Sequence, residues 1–179
     1  MGDPSHFGGD APRAAAYLLE RLGPADLGIV LGTGFAPLAA AGRGGAAAEV
    51  RVFFIPGGAD PCGTVAPVVR TVAGPVTAEV ALRELLAGPT DAEAAAGFTS
   101  LFGPATADAL LDVVVADGIA RVSFRDLRPI IPSASSSCGS AALLAALDAT
   151  LAQVPGVRGA RYSFGGDEAA FYEWLQMAP

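Results

Sequence analysis

The side chains with the greatest nucleophilic potential lie in one serine-rich segment, Ser133 to Ser140, which also contains Cys138. A serine or cysteine nucleophile needs a general base beside it, most often a histidine. The single histidine of the chain, His6, lies in a Gly-, Pro- and Asp-rich start, where a catalytic base is rarely held in place. The sequence therefore argues against a Ser-His or Cys-His mechanism, and we assign no catalytic residue.

Residue types that bind metals or phosphate are also scarce. Two cysteines and one histidine are too few for a four-ligand zinc site. The sequence contains neither an Asp-x-Asp calcium loop nor the lysine of a Walker motif, because every basic residue is an arginine. We therefore predict no metal and no cofactor.

A glycine turn near the start of the chain could hold an anion. Leu27 to Leu31 is predicted as a strand and Phe35 to Ala41 as a helix, and Gly32-Thr33-Gly34 joins them. Residues 12–42 weakly resemble the start of a purine nucleoside phosphorylase, in which such a turn helps to hold phosphate. The later base-binding and phosphate-binding segments of that enzyme have no counterpart here. We interpret this part as an arm without activity; the alternative is an enzyme of phosphorylase or hydrolase type that uses this turn or the serine-rich segment.

The charge balance and the hydrophobicity restrict the class of protein. The 11 basic and 18 acidic residues give a net charge of −7, so the chain lacks the basic surface that a nucleic-acid binder needs. With 52% hydrophobic and 16% charged residues, it has the composition of a folded protein. No continuous apolar run reaches the roughly 18 residues of a membrane span. We also expect no signal peptide in the chain as given.

A length of 179 residues suffices for one ordinary domain with an additional arm. Residues 1–48 end in the Gly/Ala-rich segment Arg43 to Ala48, so we predict an N-terminal arm and linker that is partly disordered. Residues 49–179 carry a self-contained pattern of elements. A chain shortened to begin at Glu49 should therefore melt cooperatively at nearly the temperature of the full chain, which thermal unfolding can check.

Hydrophobic periodicity predicts an α+β fold for residues 49–179, with a mixed or antiparallel sheet and helices packed on one face. The predicted strands are Val50 to Ile55, Val65 to Val72, Leu110 to Ala116, Ile119 to Phe124 and a segment around Ala160, Tyr162 and Phe164. The predicted helices are one over residues 78–86, a short turn from Thr90 to Ala96, one from Ser140 to Val154 with an apolar stripe of Leu144, Leu147, Leu151 and Val154, and a closing helix with Phe171, Trp174 and Leu175. The Asp117-Gly118 pair predicts a tight hairpin turn.

Several motifs in this part of the chain occur in the order of a known family. They are Ala66 to Val72, Leu85-Leu86-Ala87-Gly88-Pro89-Thr90 followed by Glu93 and Gly97, Asp117 to Phe124, and Thr150 to Val157. With these motifs, residues 49–179 resemble the GerMN domain, the sporulation and spore-germination module, in the form found in exported actinobacterial proteins.

The resemblance implies an extracytoplasmic module of the cell envelope, with lipoprotein-like anchoring outside the domain and no known catalytic residues. It implies that the chain is not an enzyme but a binding or scaffolding module for a protein or another cell-envelope component. Cys62 and Cys138, taken alone, fit either two separate thiols in the cytosol or a disulfide in an exported protein. The exported relatives favour the disulfide.

Two groups of residues are candidates for the binding surface. Arg121, Arg125 and Arg128 could form a basic patch beside the serine-rich segment, although solvated charges on a strand face also explain them. Tyr172 and Trp174 could anchor a partner, although a closing helix packed on the core is an equal explanation.

Overall fold

Residues 46–60 and 62–177 are described by the computed structural model, and they form two small sheets and four α-helices around one hydrophobic core. The strands are β1 (Ala47–Phe54), β2 (Ala66–Ala73), β3 (Leu110–Ala116), β4 (Ile119–Phe124) and β5 (Gly159–Phe164). The helices are α1 (Ala78–Leu86), α2 (Asp91–Ala95), α3 (Ser137–Leu151) and α4 (Glu168–Trp174), with a 3-10 turn at Pro132–Ser135. The predicted α+β class is confirmed. The glycine turn at residues 32–34 and the other elements predicted before residue 46 lie outside the described residues.

Alternating burial along β1 shows why this segment is a strand. Val50, Val52 and Phe54 lie in the core, whereas the intervening Arg51 is exposed. Backbone groups at a buried strand need partners, and β2 supplies them in antiparallel register along the whole of β1.

The first strand also corrects the predicted linker. β1 begins at Ala47, which pairs with Ala73, whereas composition predicts a linker as far as Ala48. Ala47 and Ala48 are in a strand because they pair with β2, and the local composition of a segment does not predict such pairing with a distant one. A shortened chain should therefore begin at Ala46 rather than Glu49, and the division into an arm and a domain stays a prediction.

The strands β3, β4 and β5 form the second sheet, with β4 in the centre. β3 and β4 are the predicted hairpin, and its turn residues Asp117 and Gly118 have positive φ angles of 54° and 82°, as a type I′ turn requires. β4 and β5 run parallel, because α3 lies between them in the chain and supplies the crossover that parallel strands need. The second sheet is therefore mixed.

Helices cover one face of the second sheet. On β4, the side chains of Ala120, Val122 and Phe124 are buried, and Arg121 is exposed on the opposite face. α1 contacts β3, and α3 and α4 contact β5. The ring of Phe171 in α4 lies 6.2 Å from that of Phe124, so aromatic packing joins the last helix to the central strand.

The helix α3 begins and ends earlier than its sequence pattern predicts, at Ser137 and Leu151. Ser136 caps it, because the side-chain oxygen accepts a hydrogen bond from the Gly139 N–H at 3.1 Å. Leu143 faces the core instead of the predicted Leu144, which is half-buried. Apolar residues surround most of this helix, so periodicity alone does not select the buried stripe.

Candidate functional site

An outer strand edge presents N–H and C=O groups that can pair with another chain, and β1 carries a block against such pairing. The side chain of Gln153 accepts a hydrogen bond from the Arg51 N–H at 2.7 Å and donates one to the Arg51 carbonyl at 2.5 Å. Thr150 accepts another from the Phe53 N–H at 3.3 Å. Thr150, in the last turn of α3, and Gln153, just after the helix, thus occupy the positions that a further strand would take.

The outer edges of β2 and β5 carry other blocks. In β2, Pro67 lies opposite Phe53, and proline has no N–H to offer at an edge. At the end of β5, the N–H of Phe164 donates a hydrogen bond to the Asp167 carbonyl at 3.1 Å. The N–H of Asp167 donates one to the Phe164 carbonyl at 3.0 Å. The turn after β5 therefore folds over the end of that strand.

The outer edge of β3 carries no such block from the part of the chain that the structure describes. β3 is a terminal strand of its sheet and contains neither proline nor glycine. Three aliphatic side chains on it are largely exposed: Leu111 at 53%, Val114 at 51% and Val115 at 42%. The register of the strand is irregular between Leu110 and Asp112, where Leu110 is buried and Leu111 is largely exposed. We call residues 111–116 the β3 edge.

Arg121 lies beside the β3 edge on the solvent face of the sheet. It stands opposite Val114 in the antiparallel pair and opposite Arg161 in the parallel pair. All three side chains are exposed. The guanidinium group of Arg161 lies 3.9 Å from the carboxylate of Glu168. The surface therefore combines an aliphatic strip with two neighbouring positive charges.

The other two predicted basic residues are each engaged by a protein group. Arg125 donates a hydrogen bond to the Asp108 carbonyl at 2.6 Å. Arg128 donates two to the carboxylate of Asp126, at 2.9 and 2.8 Å, and this pair holds the pKa of the Asp126 carboxyl below its usual value. A role of Arg125 or Arg128 in binding stays a prediction.

The predicted aromatic anchors pack against the core. The Trp174 ring lies 5.3 Å from that of Phe164, and the Tyr172 ring lies 5.5 Å from that of Phe171. Both side chains are half-buried, and burial raises the pKa of the Tyr172 hydroxyl. Packing accounts for both residues, and their contact with a partner stays a prediction.

Comparison with protein families decides the relationship of the chain. Residues 51–169, more than half of its length, match the family model Germane, described as sporulation and spore germination. The chain belongs to the Germane family. The predicted resemblance is thereby confirmed. Comparisons with the curated proteins and with the solved structures gave no match.

The segment Leu85 to Thr90 together with Glu93, which lies within the residues that match the Germane model, surrounds the guanidinium group of Arg70. Arg70 donates from Nε to Glu93 Oε1 at 2.9 Å and from Nη2 to Glu93 Oε2 at 2.5 Å. It also donates to the backbone carbonyls of Glu84 and Gly88, each at 2.7 Å. Arg70 therefore ties β2 to the end of α1 and the start of α2, and we call this arrangement the Arg70 joint.

The residues that accept hydrogen bonds from Arg70 are held in place by their own local structure. Glu93 and Thr90 form a capping box, in which the Thr90 N–H donates to Glu93 Oε2 at 2.7 Å and the Glu93 N–H to Thr90 Oγ1 at 3.3 Å. Gly88 has a φ of 76°, and a Cβ there would lie 2.5 Å from the Phe102 carbonyl oxygen, so glycine is required. The hydrogen bonds and charge of Arg70 hold the pKa of the Glu93 carboxyl below its usual value. The motif is therefore a structural joint between three elements.

A disulfide joins Cys62 and Cys138, whose Cα atoms lie 4.2 Å apart. It ties the segment between β1 and β2 to the first turn of α3, and both cysteines are exposed. The predicted pairing is thus present in this Germane domain.

Hydroxyl groups of the serine-rich segment form hydrogen bonds with the backbone at the start of α3. The hydroxyl of Ser136 donates to the Ser133 carbonyl at 2.8 Å, and that of Ser140 donates to the Ser136 carbonyl at 3.1 Å. With Cys138 in the disulfide, these hydroxyls act as supports of the backbone. Across residues 46–60 and 62–177, no cluster of three or more His, Cys, Asp or Glu side chains could hold a metal ion.

A cleft of about 300 Å³ lies between the end of α3 and the start of β5, and its charged lining residues are Asp148 and Arg158. Asp148 accepts a hydrogen bond from the buried hydroxyl of Tyr162 at 2.6 Å. Burial raises the pKa of the Asp148 carboxyl, and the bond from Tyr162 opposes this shift. Arg158 donates to the Asp117 carbonyl at 3.0 Å. Both charges therefore support neighbouring elements of the Germane fold.

Sequence patterns predict β3 as a strand but do not reveal its exposed edge. The available signal is the consecutive run of Val113, Val114 and Val115, because a strand with one buried face exposes every second side chain. Which strand ends a sheet depends on the sheet order, and that order requires the tertiary structure. None of the described helices is long and apolar enough to cross a bilayer.

Proposed function

We propose that this Germane domain is a non-enzymatic module that binds a protein in the cell envelope, with the β3 edge as its contact surface. The observation that carries the proposal is a strand edge that none of the described residues blocks and that exposes three aliphatic side chains, Leu111, Val114 and Val115. Single exposed aliphatic residues are common on protein surfaces, but several on one unpaired edge form a template for a further strand. The outer edges of β1, β2 and β5 each carry a block, which sets β3 apart.

A strand added to the β3 edge would gain two kinds of interaction. Backbone hydrogen bonds would supply affinity, and side chains on alternate faces would supply selectivity. Val114 on the solvent face and Val115 on the other face would both contact the added strand. Arg121, beside Val114, would favour a partner with an acidic residue at that point.

The disulfide supports an extracytoplasmic location. Cys62 and Cys138 are exposed, so the thiol systems of a cytosol would reach the bond between them. A family described by sporulation and spore germination agrees with a place in the cell envelope. Germane is not a known enzyme family, and turnover of a nucleoside with phosphate by the purified chain would contradict the proposal.

A photo-crosslinking amino acid at Val114 tests the proposal in cells that produce the chain. We expect illumination to give a covalent adduct with a protein, because Val114 lies at the proposed contact. The matched control is the same amino acid at Val69, an exposed valine on β2 (56% against 51% for Val114). Position 114 should give several-fold more adduct than position 69. Equal yields at the two positions, or no adduct at 114, would contradict the proposal.

A further inference from the structure

We infer that the partner at the β3 edge is a second copy of this chain, and that two β3 strands pair antiparallel about a two-fold axis at Val113. The two three-stranded sheets then continue as one sheet across the dimer. The inference rests on the proposed function because it uses the same edge, and it adds the identity of the partner.

Hydrogen bonds of the central strand determine which backbone groups of β3 point outward. The carbonyl of Phe124 accepts a hydrogen bond at 3.0 Å from the residue that follows β5, so Phe124 faces β5. Backbone groups alternate between the two sides of a strand, and Arg121 therefore faces β3. Its opposite residue Val114 faces back toward β4. The N–H and C=O groups of Val113 and Val115 consequently point away from β4, toward a further strand.

The exposed side chains then favour one register. With the axis at Val113, the outward backbone groups of the two Val113 residues bond to each other. Leu111 of each copy lies opposite Val115 of the other, and these side chains cover one another. The aliphatic surface of the β3 edge is thereby buried in one symmetric contact.

Neighbouring registers are unfavourable. An axis at Asp112 would place two carboxylates directly opposite each other, and like charges in a cross-strand pair are destabilising. An axis at Val114 would place Leu111 opposite Asp117 of the other copy. The axis at Val113 avoids both arrangements.

The same register brings opposite charges together across the contact. Asp112 of one copy lies opposite Val114 of the other, and Arg121 flanks Val114 on the solvent face. Since neighbouring strands lie about 4.8 Å apart, the Cα atoms of Arg121 and of Asp112 in the other copy are about 10 Å apart. The extended side chain of Arg121 can pass over Val114 and cover most of this distance. The two-fold axis produces two such pairs, which is the charge complementarity that favours a second copy as the occupant.

Sedimentation equilibrium of the full chain tests this inference. We expect a mass near twice the 17.8 kDa of the chain at high concentration, and a micromolar dissociation constant because one strand pair is a small interface. Val115→Lys should weaken the dimer by about tenfold or more, because in this register it places a charge opposite Leu111 of the other copy, in the aliphatic contact. Val69→Lys should leave the dissociation constant unchanged, since Val69 lies on the other sheet.

Charge reversal tests the register. Asp112→Arg and Arg121→Asp should each weaken the dimer by about tenfold, and the double variant should regain most of the affinity because the charges have exchanged places. The circular dichroism spectrum and the melting temperature of each variant monomer separate lost pairing from unfolding.

The outcomes distinguish this inference from the proposed function. A chain that remains monomeric at several hundred micromolar, or a dimer weakened equally by Val69→Lys and Val115→Lys, would overturn the second copy as partner. An adduct of position 114 with a different protein would then leave the proposed function standing. A monomer without any adduct would overturn both.

Discussion

Replacing Arg70 by methionine is expected to lower the free energy of unfolding by about 3 to 5 kcal/mol. The side chains of Arg70 and Glu93 are only 11% and 14% exposed, so the change leaves a poorly hydrated carboxylate without its opposite charge. The carbonyls of Glu84 and Gly88 lose their donor as well. Urea unfolding followed by circular dichroism measures the loss.

The matched control is Arg83→Met. Arg83 pairs with Glu79 on the surface of α1, where the two side chains are 51% and 57% exposed. Water and salt screen such a pair, so the expected loss is below about 0.5 kcal/mol. Losses of equal size in the two variants would contradict the Arg70 joint.

The pair of Arg70 and Glu93 also makes the free energy of unfolding depend on pH. Arg70 holds the folded-state pKa of Glu93 below the ordinary value of 4.5, so the unfolded chain takes up this proton first as the pH falls. The stabilisation is therefore complete well above pH 4.5 and is lost as the pH falls through the folded-state pKa. We expect the difference in unfolding free energy between the unchanged chain and Arg70→Met to shrink on acidification.

Removing the disulfide by Cys62→Ser is expected to lower the free energy of unfolding by about 2 to 5 kcal/mol. The bond joins residues 76 positions apart, and its loss returns conformational freedom to the unfolded chain. Unfolding in guanidinium chloride under non-reducing conditions measures the change.

The double variant Cys62→Ser/Cys138→Ser controls for the thiol that the single variant leaves. It should match both the single variant and the reduced form of the unchanged chain. Recovery of two free thiols from the oxidised, denatured protein would show that the pair does not form. The support that the disulfide lends to an extracytoplasmic location would then be lost.

Local physics explains the elements that sequence patterns predict well. The hairpin of β3 and β4 has the predicted boundaries because Asp117 and Gly118 alone favour the turn that joins them. α1 follows its pattern because Thr77 caps it and Gly88 allows the backbone to leave it. α3 is displaced because the capping residue Ser136 stands among several serines and the helix has no clear polar side.

Only part of the candidate site can be predicted from local sequence patterns. Arg121 is recognisable from sequence as an exposed residue on a strand with one buried face, and the structure exposes it. The neighbouring Leu111, Val114 and Val115 are ordinary strand formers, and their exposure follows from the position of β3 at the end of its sheet. The blocks on the other edges, such as Gln153 on Arg51, join residues 102 positions apart and leave no local pattern.

The sequence by itself determined the α+β class, the hairpin and the Germane motifs, because turn preferences, caps and hydrophobic periods act over a few neighbouring residues. Only the tertiary structure decided that the Germane motif surrounds Arg70, which lies 23 positions before Glu93. It also decided that the described residues block the outer edges of β1, β2 and β5 and leave the outer edge of β3 without a block. The physical reason is that sheet order and edge protection depend on which distant segments pack together, and no single stretch of sequence records that packing.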